Sequence, residues 1–178
     1  MLKWVQQGFF ATAPHSRTSF EDMSDCVIIG IGNPIKRDDG IGVRAVRYLE
    51  GKVPAGVELV EGSVYCADLF TYLEGRSKAI FIDAIDAGDE PGAVYRFTPE
   101  QVRESKGGIS LSVHDFGLFE LIATAKLMDQ CPDEIIIISV QVKNIEMGEE
   151  LSEEVSAAIP RVHELVLGEL GVGADEAP

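Results

Sequence analysis

The chain has 178 residues, 30 acidic and 15 basic side chains, and a formal net charge of −15. That length fits one domain with a self-sufficient core, and 46% apolar with 25% charged residues excludes disorder and collagen-like repeats. A field of this sign repels phosphate backbones and anionic lipid, which argues against a nucleic-acid partner or a membrane surface. No apolar run approaches the ~20 residues of a membrane span. Cys26, Cys66 and Cys131 form no CxxC spacing and read as reduced thiols of a cytoplasmic protein. Nothing in the pattern asks for more than a monomer.

Residues 1–22 lack periodicity, and Lys3 and Arg17 balance Glu21 and Asp22. They read as an N-terminal extension, either disordered or a mis-assigned start with Met23 as the native initiator. A single α/β domain is expected over 23–171, followed by a frayed tail, 172–178. Cys26 to Gly32 predicts a buried strand. Asp39 to Glu50 predicts a helix with Val43, Val46 and Leu49 on one face. Val57 to Glu61 is a second strand and Ala67 to Glu74 a short helix. Lys78 to Ala84 is a third strand, with Ala79 to Ile82 unbroken, as in a strand covered on both faces. After the turn signal at Gly88 to Gly92, Ala93 to Phe97 alternates like an antiparallel edge strand. His114 to Met128 is a helix, Glu134 to Val142 a very apolar strand, and Ser152 to Leu170 a last helix that Pro160 should kink or split. Strands alternating with helices predict crossover units and a mainly parallel sheet with helices on both faces. Sites in such sheets form beyond the carboxyl ends of the strands. That rule points to Gly32–Gly40, Gly62–Cys66 and Asp83–Gly88.

Three of these positions carry chemistry. The first loop, Gly30-Ile31-Gly32-Asn33-Pro34-Ile35-Lys36-Arg37-Asp38-Asp39-Gly40, opens like a dinucleotide fingerprint. Ile35 stands where the third glycine belongs, and two carboxylates stand where a pyrophosphate would want bare N–H groups. A dinucleotide site is therefore disfavoured. Asp38 and Asp39 are also readable as acidic helix starters, with Asp38 alternatively tuning a site or pairing with Arg37. Gly40 and Gly42 suggest that something approaches closely, a substrate backbone for example. Asn33 reads as a loop cap. Asp83 ends a central strand, a costly place for a carboxylate unless it is hydrogen-bonded or metal-bound; Asp86 reads as a turn residue. His114 sits in Ser112-Val113-His114-Asp115, a capping-box-like helix start, with Asp115 placed to orient it. His15 and His163 receive no role. Jointly, Asp39, Asp83 and His114 offer two carboxylates and one imidazole, a donor set for a borderline divalent ion such as zinc or nickel. Read from the residues alone, each of the three keeps a structural alternative.

The runs GIGNPIKRDDGIG, FIDAIDAG and SVHDFGL, in this order, resemble the hydrogenase maturation endopeptidases, as does Lys143 to Gly148 on the approach to the last helix. The resemblance spans about Cys26 to Leu170. It implies an α/β fold, a three-layer α/β/α sandwich around a five-stranded, mostly parallel sheet with one antiparallel strand. It also implies an aspartyl-type hydrolase that removes a C-terminal extension from the precursor large subunit of a nickel–iron hydrogenase after nickel insertion. The family's metal-contacting positions fall on Asp39, Asp83 and His114, which become the expected catalytic and metal-binding residues. The nickel would be supplied by the substrate, although zinc would suit the same donors. The alternative is a nickel-binding assembly chaperone that cuts nothing.

Overall fold

The computed structural model describes residues 23–63, 66–104 and 113–172, except the side chains of 103–104 and 113–116. The expected extension, 1–22, and positions 173–178 of the expected tail lie outside the described residues. Five strands, β1 (Cys26–Gly30), β2 (Glu58–Glu61), β3 (Lys78–Ile85), β4 (Val94–Phe97) and β5 (Glu134–Gln141), form one sheet in the order β2-β1-β3-β5-β4. The β1–β2, β1–β3 and β3–β5 pairs are parallel, and β4 runs antiparallel to β5 at the edge. The helices are α1 (Ile41–Leu49), α2 (Pro99–Glu104), α3 (Val113–Leu127), α4 (Glu153–Ala157) and α5 (Ile159–Glu169).

The β-branched run Ile135 to Ile138 suits β5 to its place between β3 and β4: both faces of the sheet are covered, so neither parity of side chains meets water. On one face Ile28, Ile80, Ile82, Ile136 and Ile138 pack with Ala45, Val46 and Leu49 of α1 and Val162 and Val166 of α5. On the other, Val27, Ile29, Phe81 and Ile137 pack with Leu69 of the 3-10 helix Cys66–Tyr72 and with Leu118, Leu121 and Ile122 of α3. The period of two along each strand sorts the two sets. Among the described residues no helix is long and apolar enough to cross a membrane.

Several elements differ from expectation in local form. The helix expected from Asp39 opens as a 3-10 turn, Arg37–Gly40, before α1. The one expected at Ala67 to Glu74 is 3-10 throughout. The last helix is split, and Pro160 falls in the first turn of α5, where its missing N–H has no helical partner to lose. Helix α2 went unpredicted although its start is a capping box: Thr98 N donates to Gln101 Oε1 (2.8 Å) and Gln101 N to Thr98 Oγ1 (3.4 Å), with Pro99 between. Val172 donates its N–H to Leu167 O (3.0 Å) and packs in the core.

Asp38 is fully buried and ties two loops together. Its Oδ2 accepts from Lys143 N (2.9 Å), Asn144 N (2.8 Å) and Ser152 Oγ (2.7 Å), and its Oδ1 from Ser152 N (2.6 Å). It neither pairs with Arg37 nor opens onto a site. Arg37 instead donates its backbone N–H to Gly148 O (2.7 Å). Burial pushes the Asp38 carboxyl up, but the hydrogen bonds from Ser152, Asn144 and Lys143 outweigh it and hold the pKa below the usual value. A lowered folded-state pKa stabilises fully above the unfolded value of about 4, and that stabilisation is lost as the pH falls through the lower folded value.

Gly42 serves the protein's own packing rather than a substrate backbone. A Cβ there would overlap the carbonyl oxygens of Ile31 and Ile82, so α1 starts against the backbone ends of β1 and β3. A Cβ at Gly40 would stand 2.7 Å from Pro34 Cα, again inside the chain.

Two outcomes follow from this packing. Asp38→Asn turns an amide donor toward backbone donors and lowers stability by about 2–4 kcal/mol at neutral pH in urea unfolding. Its difference from wild type shrinks as the pH is taken below about 4. In thermal unfolding, Gly42→Ala costs about 2 kcal/mol or more. Gly168→Ala, in a helical position with open space around it, is neutral or stabilising by up to about 1 kcal/mol.

Candidate active site

The chain leaves β1 toward β2 on one side and reaches β3 on the other, so the topological switch point lies between β1 and β3. By the general rule for open α/β sheets the binding crevice lies there, beyond the carboxyl ends of two adjacent parallel strands. Asp39 and Asp83 stand on its two sides.

Asp39 is held by a loop that folds back on itself. Ile31 N donates to Ile82 O (2.8 Å), extending the β1–β3 ladder by one bond. Gly32 then takes φ +135, and a Cβ there would overlap Asp39 O, so only glycine fits. Asn33 N donates to Asp39 O (3.2 Å) and Asp39 N to Lys36 O (3.0 Å). Asn33 Oδ1 accepts from Ile35 N (3.2 Å), so Asn33 caps the loop, as expected. The 3-10 turn packs against β3 and leaves the Asp39 side chain half-buried. Adjacent residues in such a turn point in different directions. Asp38 therefore goes inward when Asp39 stays at the crevice.

Asp83 lies one residue beyond Ile82, the partner of Gly30, and opposite Ser139 of β5. It is fully buried, and Oδ1 accepts from Ala84 N (2.8 Å). A buried carboxylate at a strand end is costly in a protein interior, and a bound cation is one group that offsets that cost. Asp86 is exposed and accepts from Gln141 Nε2 (3.2 Å), in extended backbone directly after β3 rather than in the expected turn.

His114 is the second residue of α3. That helix packs over the 3-10 helix Cys66–Tyr72 and leads to the start of β5, so it runs against the strands. Its first turn therefore lies at the same carboxyl edge as Asp39 and Asp83. The His114 side chain is outside the described residues, as are Ser112 and the Asp115 side chain expected to cap or orient it. The segment Gly62–Cys66 is described except at 64–65; Gly62 N donates to Gly30 O (2.8 Å) at the same edge. His163 lies on α5, with Nε2 3.2 Å from Lys52 O and its ring edge-on to Tyr48, a packing role. His15 is outside the described residues.

Sequence reasoning missed a wall of the crevice. The loop 142–152 between β5 and α4 pairs with the Asp39 loop through a parallel bridge, Lys36 with Gly148, and through Gly148 N to Ile35 O (2.9 Å). Arg44 of α1 donates to Glu149 O (2.6 Å), and Asp38 N to Asn144 O (3.1 Å). These pairings join positions more than a hundred residues apart, and no local pattern announces them.

Among the described residues no three His, Cys, Asp or Glu side chains make a metal-sized cluster. The third donor of the expected set is His114. Two carboxylates at a water-poor strand edge suit a divalent cation or the proton transfers of hydrolysis.

The model of the HycI hydrogenase maturation protease family matches residues 43–169, starting downstream of Asp39 and including Asp83 and His114. HupD of Bradyrhizobium diazoefficiens, a hydrogenase expression/formation protein, is 34% identical over 131 residues, covering 72% of this chain and 68% of the relative. The hydrogenase maturating endopeptidase HybD from E. coli has a similar structure, with a TM-score of 0.73 at 26% identity over 82% of this chain and 91% of that one. The NiFe hydrogenase maturation protease HybD from Thermococcus kodakarensis gives 0.67 at 28% identity, over 81% and 97%. The chain thus belongs to the hydrogenase maturation protease family, and it is a peptidase rather than a metal carrier that cuts nothing.

Proposed function

We propose that the chain removes a C-terminal extension from the precursor large subunit of a nickel–iron hydrogenase once nickel has been inserted. Asp39, Asp83 and His114 recognise that nickel. One observation carries the reading: the buried Asp83 and the half-buried Asp39 flank the β1–β3 switch point, at the edge where α3 begins with His114.

The nickel enters as part of the substrate. Two carboxylates and an imidazole are donors that a borderline divalent ion accepts in its open positions. Contact with them fixes the precursor against the rigid Asp39 loop and brings the scissile bond to the crevice. Much of the rate gain then comes from positioning. A water oxygen forms the new bond to the scissile carbonyl carbon and the C–N bond breaks. A carboxylate takes the water's proton and passes it to the leaving amine. A precursor without nickel lacks the anchor, so cutting waits for metal insertion.

The test is a processing assay with a nickel-loaded precursor, read as the mass of the large subunit. Wild type shortens it. Asp39→Asn, Asp83→Asn and His114→Ala each lower kcat/KM by about 100-fold or more. Undiminished cleavage by any of the three, or tight binding by wild type with no change of mass, contradicts the assignment.

A further inference from the structure

Among the described residues, three of the large apolar side chains left in water gather on the two bonded loops beside the crevice: Ile35 (50% exposed), Ile145 (54%) and Met147 (67%). The Lys36–Gly148 bridge sets Ile35 and Met147 in register on adjoining segments. Ile145 lies two residues earlier, in a turn closed by Glu146 N donating to Asn144 Oδ1 (2.8 Å). The support beneath them is rigid. Asp38 binds the loop at Lys143, Asn144 and Ser152, and Arg44 holds it at Glu149. Apolar groups held out on such a frame mark an interaction surface rather than a frayed loop.

The rim says what covers it. Glu146, Glu149 and Glu150 are exposed, and none of them makes an ion pair among the described residues. The nearby Lys143 ammonium is already bound to Glu154 (2.6 Å). With Lys36 and Arg37 of the Asp39 loop counted against these three carboxylates the rim is still net acidic, on a chain of net charge −15, which disfavours nucleic acid, anionic lipid and a second copy of the chain. Such a surface complements an apolar segment flanked by lysine or arginine. Ile35 is four residues from Asp39 in a loop closed on Asp39, so a chain lying on this surface continues into the crevice.

We propose that Ile35, Ile145 and Met147, rimmed by Glu146, Glu149 and Glu150, form the docking platform for the hydrogenase precursor, which binds there through an apolar segment with basic flanks. This rests on the processing function proposed above and names the surface that selects its substrate. The platform acts on binding and leaves the cutting step to the crevice.

Steady-state processing of the nickel-loaded precursor by the full chain tests it. The triple variant Ile35→Ser/Ile145→Ser/Met147→Ser is expected to raise KM about tenfold or more, with kcat within about twofold and an unchanged unfolding midpoint. For wild type, KM rises with added NaCl; for Glu146→Gln/Glu149→Gln/Glu150→Gln it starts higher and responds less. A triple-variant KM within about twofold of wild type, or a loss confined to kcat, overturns the platform while the processing function stands. A wild-type dimer that the triple variant abolishes, with KM unmoved, assigns the surface to a second copy and also overturns it. Wild type that leaves the nickel-loaded precursor intact overturns the processing function together with the platform.

Discussion

The buried carboxylate of Asp38 is the constraint on which the rest of the site depends. It is placed where only a dense set of donors can keep it ionised, and the donors come from the far end of the chain: Lys143, Asn144 and Ser152. Burial opposes the charge and the hydrogen bonds prevail. The consequence is mechanical. The loop after β1 and the loop after β5 become one rigid rim, and Asp39, the next residue, is fixed beside the switch point between β1 and β3.

Below that rim the sheet determines where the crevice is. The order β2-β1-β3-β5-β4 puts the change of chain direction between β1 and β3. Glycine at position 42 lets α1 begin directly on the carbonyl oxygens of Ile31 and Ile82, and glycine at 32 lets the loop close over Asp39 O. The opposite edge is held differently. Glu169, at the end of α5, takes a bidentate contact from Arg96 (2.8 and 3.3 Å) and the ammonium of Lys78 (3.3 Å). Burial raises the Glu169 pKa less than Arg96 and Lys78 lower it. One end of the sheet is thus locked by ion pairs, and the other is shaped for chemistry.

Much of this was legible in the sequence, for identifiable reasons. Alternation and unbroken apolar runs located all five strands, because a parallel sheet buried on both faces leaves a strong local signature. The edge strand was visible through its preceding turn. Asp83 and Asp39 were visible because strand ends and glycine-rich loops are where polar residues need a reason. The role of Asp38 was not visible, since its partners lie more than a hundred positions away. Nor was that of Gly42, whose neighbours are backbone atoms of two other elements. The start of helix α2 has its own local signature: Thr98-Pro99-Glu100-Gln101 is a capping box with proline at the first helical position.

In the proposed reaction two carboxylates and one imidazole meet the substrate's nickel. X-ray absorption at the nickel edge, on the loaded precursor before and after mixing with the protease, tests this most directly. Use of a slowly cut precursor variant would hold the complex. The account predicts that wild type adds oxygen and nitrogen scatterers to the nickel shell, and that Asp83→Asn and His114→Ala each diminish the change. A nickel spectrum that is the same in the complex as in the free precursor would contradict it.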